Sequence, residues 1–217
     1  MSELRTEEEQ VELIKKWWAE NGKTVIVALV LSIAAILGWQ WWQNQQQAKV
    51  EAASEAYEQM VELMSKPELT DEQKATAQHL STQLQSEHEG TLYANYASLF
   101  KARLQLEEKK PDDALATLKA VQAAAVNETV SEVAVLRQAQ ILWQQGQNDQ
   151  ALSLLNNLKA KTYMGEVEEL KGDLLTELKQ PKEAKEAYLK ARAVFINLGI
   201  QRPVIDMKLA DLGGAGA

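Results

Sequence analysis

The segment from Thr24 to Trp42 reads TVIVALVLSIAAILGWQWW, with no charged residue and Gln40 as its one strongly polar side chain. As a helix rising about 1.5 Å per residue it is about 28 Å long, close to the roughly 30 Å hydrocarbon core of a bilayer. Trp39, Trp41 and Trp42 mark one end and Trp17 and Trp18 precede the other, leaving Trp143 as the only one of the six tryptophans elsewhere. Indole rings favour the headgroup layer, so this is an aromatic belt. The residues that follow, Trp41-Trp42-Gln43-Asn44-Gln45, are too large for a cleavage site. The segment is therefore expected to be a retained signal anchor and not a cleaved leader.

Charge orients the span. Arg5, Lys15, Lys16 and Lys23 precede it, and the first cation after it is Lys49. The basic flank stays in the cytoplasm. The expected layout is a cytoplasmic amphipathic tail over 1–23, a transmembrane helix over 24–42, and a domain over 43–217 on the far side, which is the periplasm in a bacterium. Val11, Ile14, Trp17 and Trp18 fall at helical spacing over 7–20, and Asn21-Gly22 is a plausible break before the span. Two small-xxx-small pairs, Ala28/Ser32 and Ala34/Gly38, give another membrane helix room for close approach.

Composition removes several functions. The chain of 217 residues has no cysteine, two histidines and a formal charge of -8. Disulfides, thiolate sites and a three-histidine metal site are excluded. No nucleic-acid partner is expected, because such binding relies on neutralising phosphates. His79 and His88 lie too far apart to share a metal on one helix and read as surface residues. No glycine-rich phosphate loop, GxSxG or HExxH occurs, and acidic pairs such as Glu107-Glu108, Asp112-Asp113 and Glu168-Glu169 read as solvated helix faces. The expectation is no enzyme, no cofactor and no small-molecule substrate.

Beyond the span the pattern is helical. Breaks are expected at Ser65 to Leu69, near Gly90, at Lys109 to Asp112, Asn127, Gly146 to Asp149, Gly165 and Lys179 to Pro181. Thr70 with Gln73 forms a capping box, and Pro111 and Pro181 suit first helical turns. Three stretches then align: KARLQLEEKKPDDALATLKAV, QAQILWQQGQNDQALSLLNNL and KGDLLTELKQPKEAKEAYLKA. A small residue recurs at Ala102, Ala139 and Gly172, and again at Ala114, Ala151 and Ala184. The pairs Leu118/Val121, Leu155/Leu158 and Tyr188/Ala191 follow. The period is 37 residues (102 to 139), then 33 (139 to 172). Small residues at helix crossings with a period near 34 are the tetratricopeptide pattern. The position before each small residue is polar (Lys101, Gln138, Lys171), and the stripe passes to Leu99, Leu136 and Glu169. The expected fold is all-α, a single N-terminal transmembrane helix followed by a tetratricopeptide-like helical-repeat solenoid. Ala52, Ala56, Met60 and Leu63 are expected to form one face of an atypical first pair, the helix after Pro203 closes the far end, and 213–217 is a frayed tail.

In such an array the first helix of each pair lines a concave side. The candidate partner-binding residues are Tyr96, Leu99, Arg103, Val133, Leu136, Gln140 and Trp143, forming a groove for a segment of another protein, with core packing as the other reading of Trp143.

The N-terminal run EQVELIKKWWAENGK leading into the span, the helical repeats, and the stretch around PVIDMKLADL together resemble the YfgM family over nearly the whole chain. That resemblance implies an inner-membrane protein that associates with the SecYEG translocon and with PpiD, a membrane-anchored periplasmic chaperone. It also implies a cytoplasmic link to an Rcs response regulator. It brings no catalytic residues. The rival reading is a scaffold or assembly factor for another envelope complex.

Overall fold

The computed structural model describes residues 7–66 and 68–214. Arg5, Pro67 and the last three residues of the expected tail lie outside the described residues. The chain divides into two compact units, 1–51 and 52–217.

The first helix, α1 (Glu7–Met64), runs without interruption. The break expected at Asn21-Gly22 does not occur. The Asn21 side-chain amide donates to the Trp17 carbonyl one turn back. The Trp18 ring covers Gly22, with ring atoms 3.2–3.4 Å from where a Cβ would stand. These contacts hold the helix through two poor helix formers. In the first unit nearly every described side chain is exposed, apolar ones included. A helix apolar on all sides belongs in a membrane or a large core. Among the described residues, α1 is the one helix long and apolar enough to cross a bilayer, an 18-residue stretch of it having a mean hydropathy of 2.0. The Ser32 hydroxyl donates to the Ala28 carbonyl, so it is satisfied within the helix.

The second unit is a succession of antiparallel helices. They are α2 (Asp71–Glu87), α3 (Leu92–Glu107), α4 (Pro111–Ala123), α5 (Glu128–Gln144), α6 (Asn148–Asn157), α7 (Met164–Glu177), α8 (Pro181–Asn197) and α9 (Pro203–Gly214). Each packs on the next from α2 onward, and α5 also meets α7, as stacked pairs require. Thr70 and Gln73 form the reciprocal capping box, Asn127 caps α5, and Pro111 and Pro181 open α4 and α8. Gly165 lies inside α7 and is not a break; the connection spans 158–163. The glycine is there for packing, because the Phe195 ring leaves no room for a Cβ.

The recurring small residues are at the helix crossings. Ala102, Ala114, Leu118 and Ile141 form one buried cluster. Ala139, Ala151 and Leu155 belong to the next, and Ala184, Tyr188, Ala191 and Phe195 to the third. Ile205, Leu209 and Leu212 of α9 seal that last cluster. At the other end Ala53 and Met60 of α1 pack with Leu84 and Ala97, flanked by Ala56, Tyr57 and Met64. The buried face is thus rotated from the expected one: Ala52 is exposed and Leu63 only half-buried.

Glu168 and Glu169, expected on a solvated face, are nearly buried. Cations explain it: Lys171 pairs with Glu168 at 2.9 Å, and Arg202 and Lys208 pair with Glu169 at 2.6 and 3.2 Å. Lys208 also reaches Asp173, tying α9 to α7. Buried charges persist only when paired in this way. Of the histidines, His79 is exposed, whereas His88 is the half-buried C-cap of α2.

Candidate partner-binding groove

The second unit holds an open cavity of about 520 Å³. That is within the range of sites that enclose most of a ligand. Its walls come mainly from α3 and α5, with Tyr57 from α1 at one end. The helical spacing of α3 turns Tyr96, Leu99, Phe100, Arg103 and Leu106 to one face. That of α5 turns Val133, Arg137, Gln140 and Gln144 to the facing wall.

Five of the seven candidates line this cavity: Tyr96, Leu99, Arg103, Val133 and Gln140. The other two do not. Leu136 is 7% exposed and belongs to the cluster of Ala139, Leu155 and Leu174, and Trp143 packs half-buried against the same cluster. Helix α5 is buried on two sides, one toward α4 and one toward α6 and α7. A stripe at helical spacing does not distinguish the core side from the open one.

Tyr57, Phe100, Leu106, Arg137 and Gln144 also line the groove, and sequence reasoning missed them. Tyr57 was hidden because its helix carries no repeat signature. Arg137 and Gln144 were legible, being one turn from Val133 and Gln140. The Tyr57 ring stands 5.4 Å from Tyr93, 6.0 Å from Tyr96 and 6.5 Å from Phe100, centroid to centroid and tilted. Tilted aromatic pairs at these distances contribute about 0.5–1.5 kcal/mol beyond burial. Burial, and then the neighbouring Tyr96 and Tyr93, raise the Tyr57 phenol above its ordinary value, so it stays neutral. Tyr96 and Leu106 are each 37% exposed, so the groove wall keeps apolar surface open to solvent.

The polar groups sit on the rim. Arg103 donates to Glu107 at 3.0 Å, and Arg137 donates to Gln140 at 2.8 Å. Among the described residues no group of three or more potential metal ligands exists. The groove offers apolar floor, aromatic rings and two guanidinium groups, which is recognition chemistry.

Successive helix pairs with small residues at their crossings define a helical-repeat domain. The model of the tetratricopeptide repeat-like domain matches residues 15–214, and the chain belongs to that family. It is 30% identical to the ancillary SecYEG translocon subunit of Haemophilus influenzae over 95% of this chain and 97% of the relative. It is 32% identical to the protein of that name from Aggregatibacter actinomycetemcomitans, with the same coverage. Against the one from Escherichia coli K12 it is 29% identical over 87% of this chain and 88% of the relative. These matches agree with the family likeness read from the N-terminal run and the repeats.

Proposed function

We propose that this chain is a membrane-anchored, non-catalytic accessory subunit of the Sec translocon whose repeat domain binds a protein partner. The observation that carries the reading is near full-length similarity to several ancillary SecYEG translocon subunits. The apolar span of α1 supports the anchor, and the groove between α3 and α5 supports the partner. In this reading residues 1–23 are cytoplasmic, 24–42 cross the inner membrane and 43–217 are periplasmic. Lys15, Lys16 and Lys23 on one flank, with no cation until Lys49 on the other, favour that orientation. The partner on the periplasmic side is a PpiD-like chaperone acting on exported proteins, and the cytoplasmic tail provides the link to an Rcs response regulator.

A phosphatase fused after residue 217 is expected to be active, and activity only for a cytoplasmic reporter reverses the orientation. Detergent extracts of the tagged full chain are expected to co-purify SecYEG components. Tyr96→Ala with Leu106→Ala is expected to reduce chaperone recovery while leaving the melting temperature near wild type, and the distant Lys185→Ala is expected to change neither. Envelope-assembly proteins in place of translocon components favour the scaffold reading.

A further inference from the structure

The groove is basic in an acidic protein. Among the described residues its lining includes Arg103 and Arg137 and no carboxylate. Arg103 also lines an adjoining cavity of about 280 Å³ with Lys66 and Lys74, where Glu68 and Glu107 are the acids. With Asp71, which Lys74 approaches at 4.0 Å, four cations stand against three carboxylates, so this strip keeps a positive balance whereas the chain as a whole carries -8. Neither guanidinium is committed. Arg103 is exposed, and among the described residues its ion pair is with Glu107 a turn away on the same helix. Exposed pairs of this kind contribute little and are readily exchanged. Arg137 is exposed and is held by the neutral Gln140. Between and beneath them lie Tyr96, Leu99, Phe100 and Leu106.

We propose that the groove selects a polypeptide segment that interleaves apolar side chains with Asp or Glu, the apolar groups seating on the Tyr57, Tyr96 and Phe100 floor and the carboxylates pairing with Arg103 and Arg137. This rests on the groove being a partner site, as proposed above. Guanidinium pairs with carboxylates in a two-bond fork, which supplies register as well as attraction. The carboxylates belong to side chains and not to a free C-terminus. Capture of a chain end uses converging backbone N–H groups. Here the lining residues sit inside helices, where the amides are already bonded. The cations also stand on separate helices, which suits successive acidic residues along a segment.

The test uses the full chain in detergent and three short peptides with blocked ends. One alternates Leu and Phe with Glu; the others carry Gln or Lys at the Glu positions. Fluorescence anisotropy is expected to show the Glu peptide binding at least about tenfold more tightly than the Gln peptide, with the preference shrinking as salt rises. Arg103→Ala with Arg137→Ala is expected to abolish that preference while leaving the Gln peptide unchanged, and the double Lys variant is expected to restore part of it. Equal binding of the Glu and Gln peptides overturns the acidic selectivity but leaves the groove reading intact. Binding of neither peptide, or binding unaffected by Tyr96→Ala with Leu106→Ala in a folded protein, overturns both. Tighter binding of the Lys peptide overturns the charge assignment.

Discussion

Gly172 on α7 faces the ring of Tyr188 on α8 so closely that a Cβ on the glycine would stand 2.5 Å from Cδ1 and 2.8 Å from Cζ. The equivalent positions of the two preceding repeats are Ala102 with Leu118, and Ala139 with Leu155. The crossing keeps a constant volume: alanine opposes leucine, and only glycine opposes tyrosine. Interiors are packed densely enough that a single methyl group is felt.

Gly172→Ala is therefore expected to destabilise the repeat domain by about 1–3 kcal/mol through overpacking, despite alanine's better helix propensity. Adding Tyr188→Leu recreates the Ala–Leu pair and is expected to recover most of that loss. Urea unfolding followed by circular dichroism measures the cycle. A coupling energy near zero shows that the two positions do not share volume.

The connections between paired helices share a backbone conformation. Lys109, Gly146 and Lys179 occupy the same repeat position and have φ of 59°, 73° and 57°. Each connection closes with the residue after it donating to a carbonyl five residues back: Lys110 to Gln105, Gln147 to Leu142 and Gln180 to Leu175. This is the helix-ending motif that favours glycine. Lysine there stands in a left-handed conformation that glycine adopts without strain. Lys109→Gly and Lys179→Gly are each expected to raise stability by roughly 0.5–1 kcal/mol, and Gly146→Ala to lower it by a similar amount, by thermal melts of the folded chain.

Much of the fold was legible because it rests on local rules. The apolar run, the capping box at Thr70, the prolines at first turns and the small residues at crossings each leave a mark at fixed spacing. Gly165 misled because glycine signals a turn as readily as a close contact, and only the Phe195 ring shows which applies. The groove was half legible. Spacing along α3 and α5 found one face of each helix. Which face stays open depends on the helices that cover the other, and that relation is tertiary. Tyr57 depended on α1 packing over α3, which no repeat in α1 announced.

Alkaline pH is expected to unfold the C-terminal pair first through Tyr188. Desolvation raises its phenol well above the ordinary value near 10, and a hydrogen bond to Asp173 at 2.7 Å adds to the effect. The folded state thus holds the proton more tightly than the unfolded chain. The stability from this group is fully present below about pH 10 and declines as pH rises above it. Tyr188→Phe is expected to flatten the dependence of melting temperature on pH above 10, and one fewer phenol should titrate late in the ultraviolet difference spectrum. An unchanged slope assigns the alkaline loss elsewhere.

Asn95 and Glu132 occupy one repeat position and do one job. The Asn95 side chain accepts from the Val126 amide at 3.0 Å and donates to the Ala124 carbonyl at 3.3 Å, fixing the connection before α5. Glu132 lies 37 residues on (95 to 132), is 3% exposed, and accepts from the amides of Lys161, Thr162 and Tyr163 at 2.8, 3.0 and 2.8 Å, fixing the connection before α7. Three donors converging on one carboxylate are far from neutral pairing, since bonds to a charged acceptor contribute about 1.5–3 kcal/mol. Removing the acceptor leaves three amides to find other partners. Glu132→Ala is therefore expected to cost about 2–4 kcal/mol and Asn95→Ala about 1–2 kcal/mol. Glu132→Gln is expected to fall between Glu132→Ala and wild type, because its amide retains one acceptor but turns an N–H₂ toward the remaining donors. Hydrogen exchange is the discriminating measurement. In Glu132→Ala the amides of 161–163 are expected to lose protection more than those of α3 and α4. Equal loss throughout the domain, or none at 161–163, shows that the carboxylate does not hold this connection.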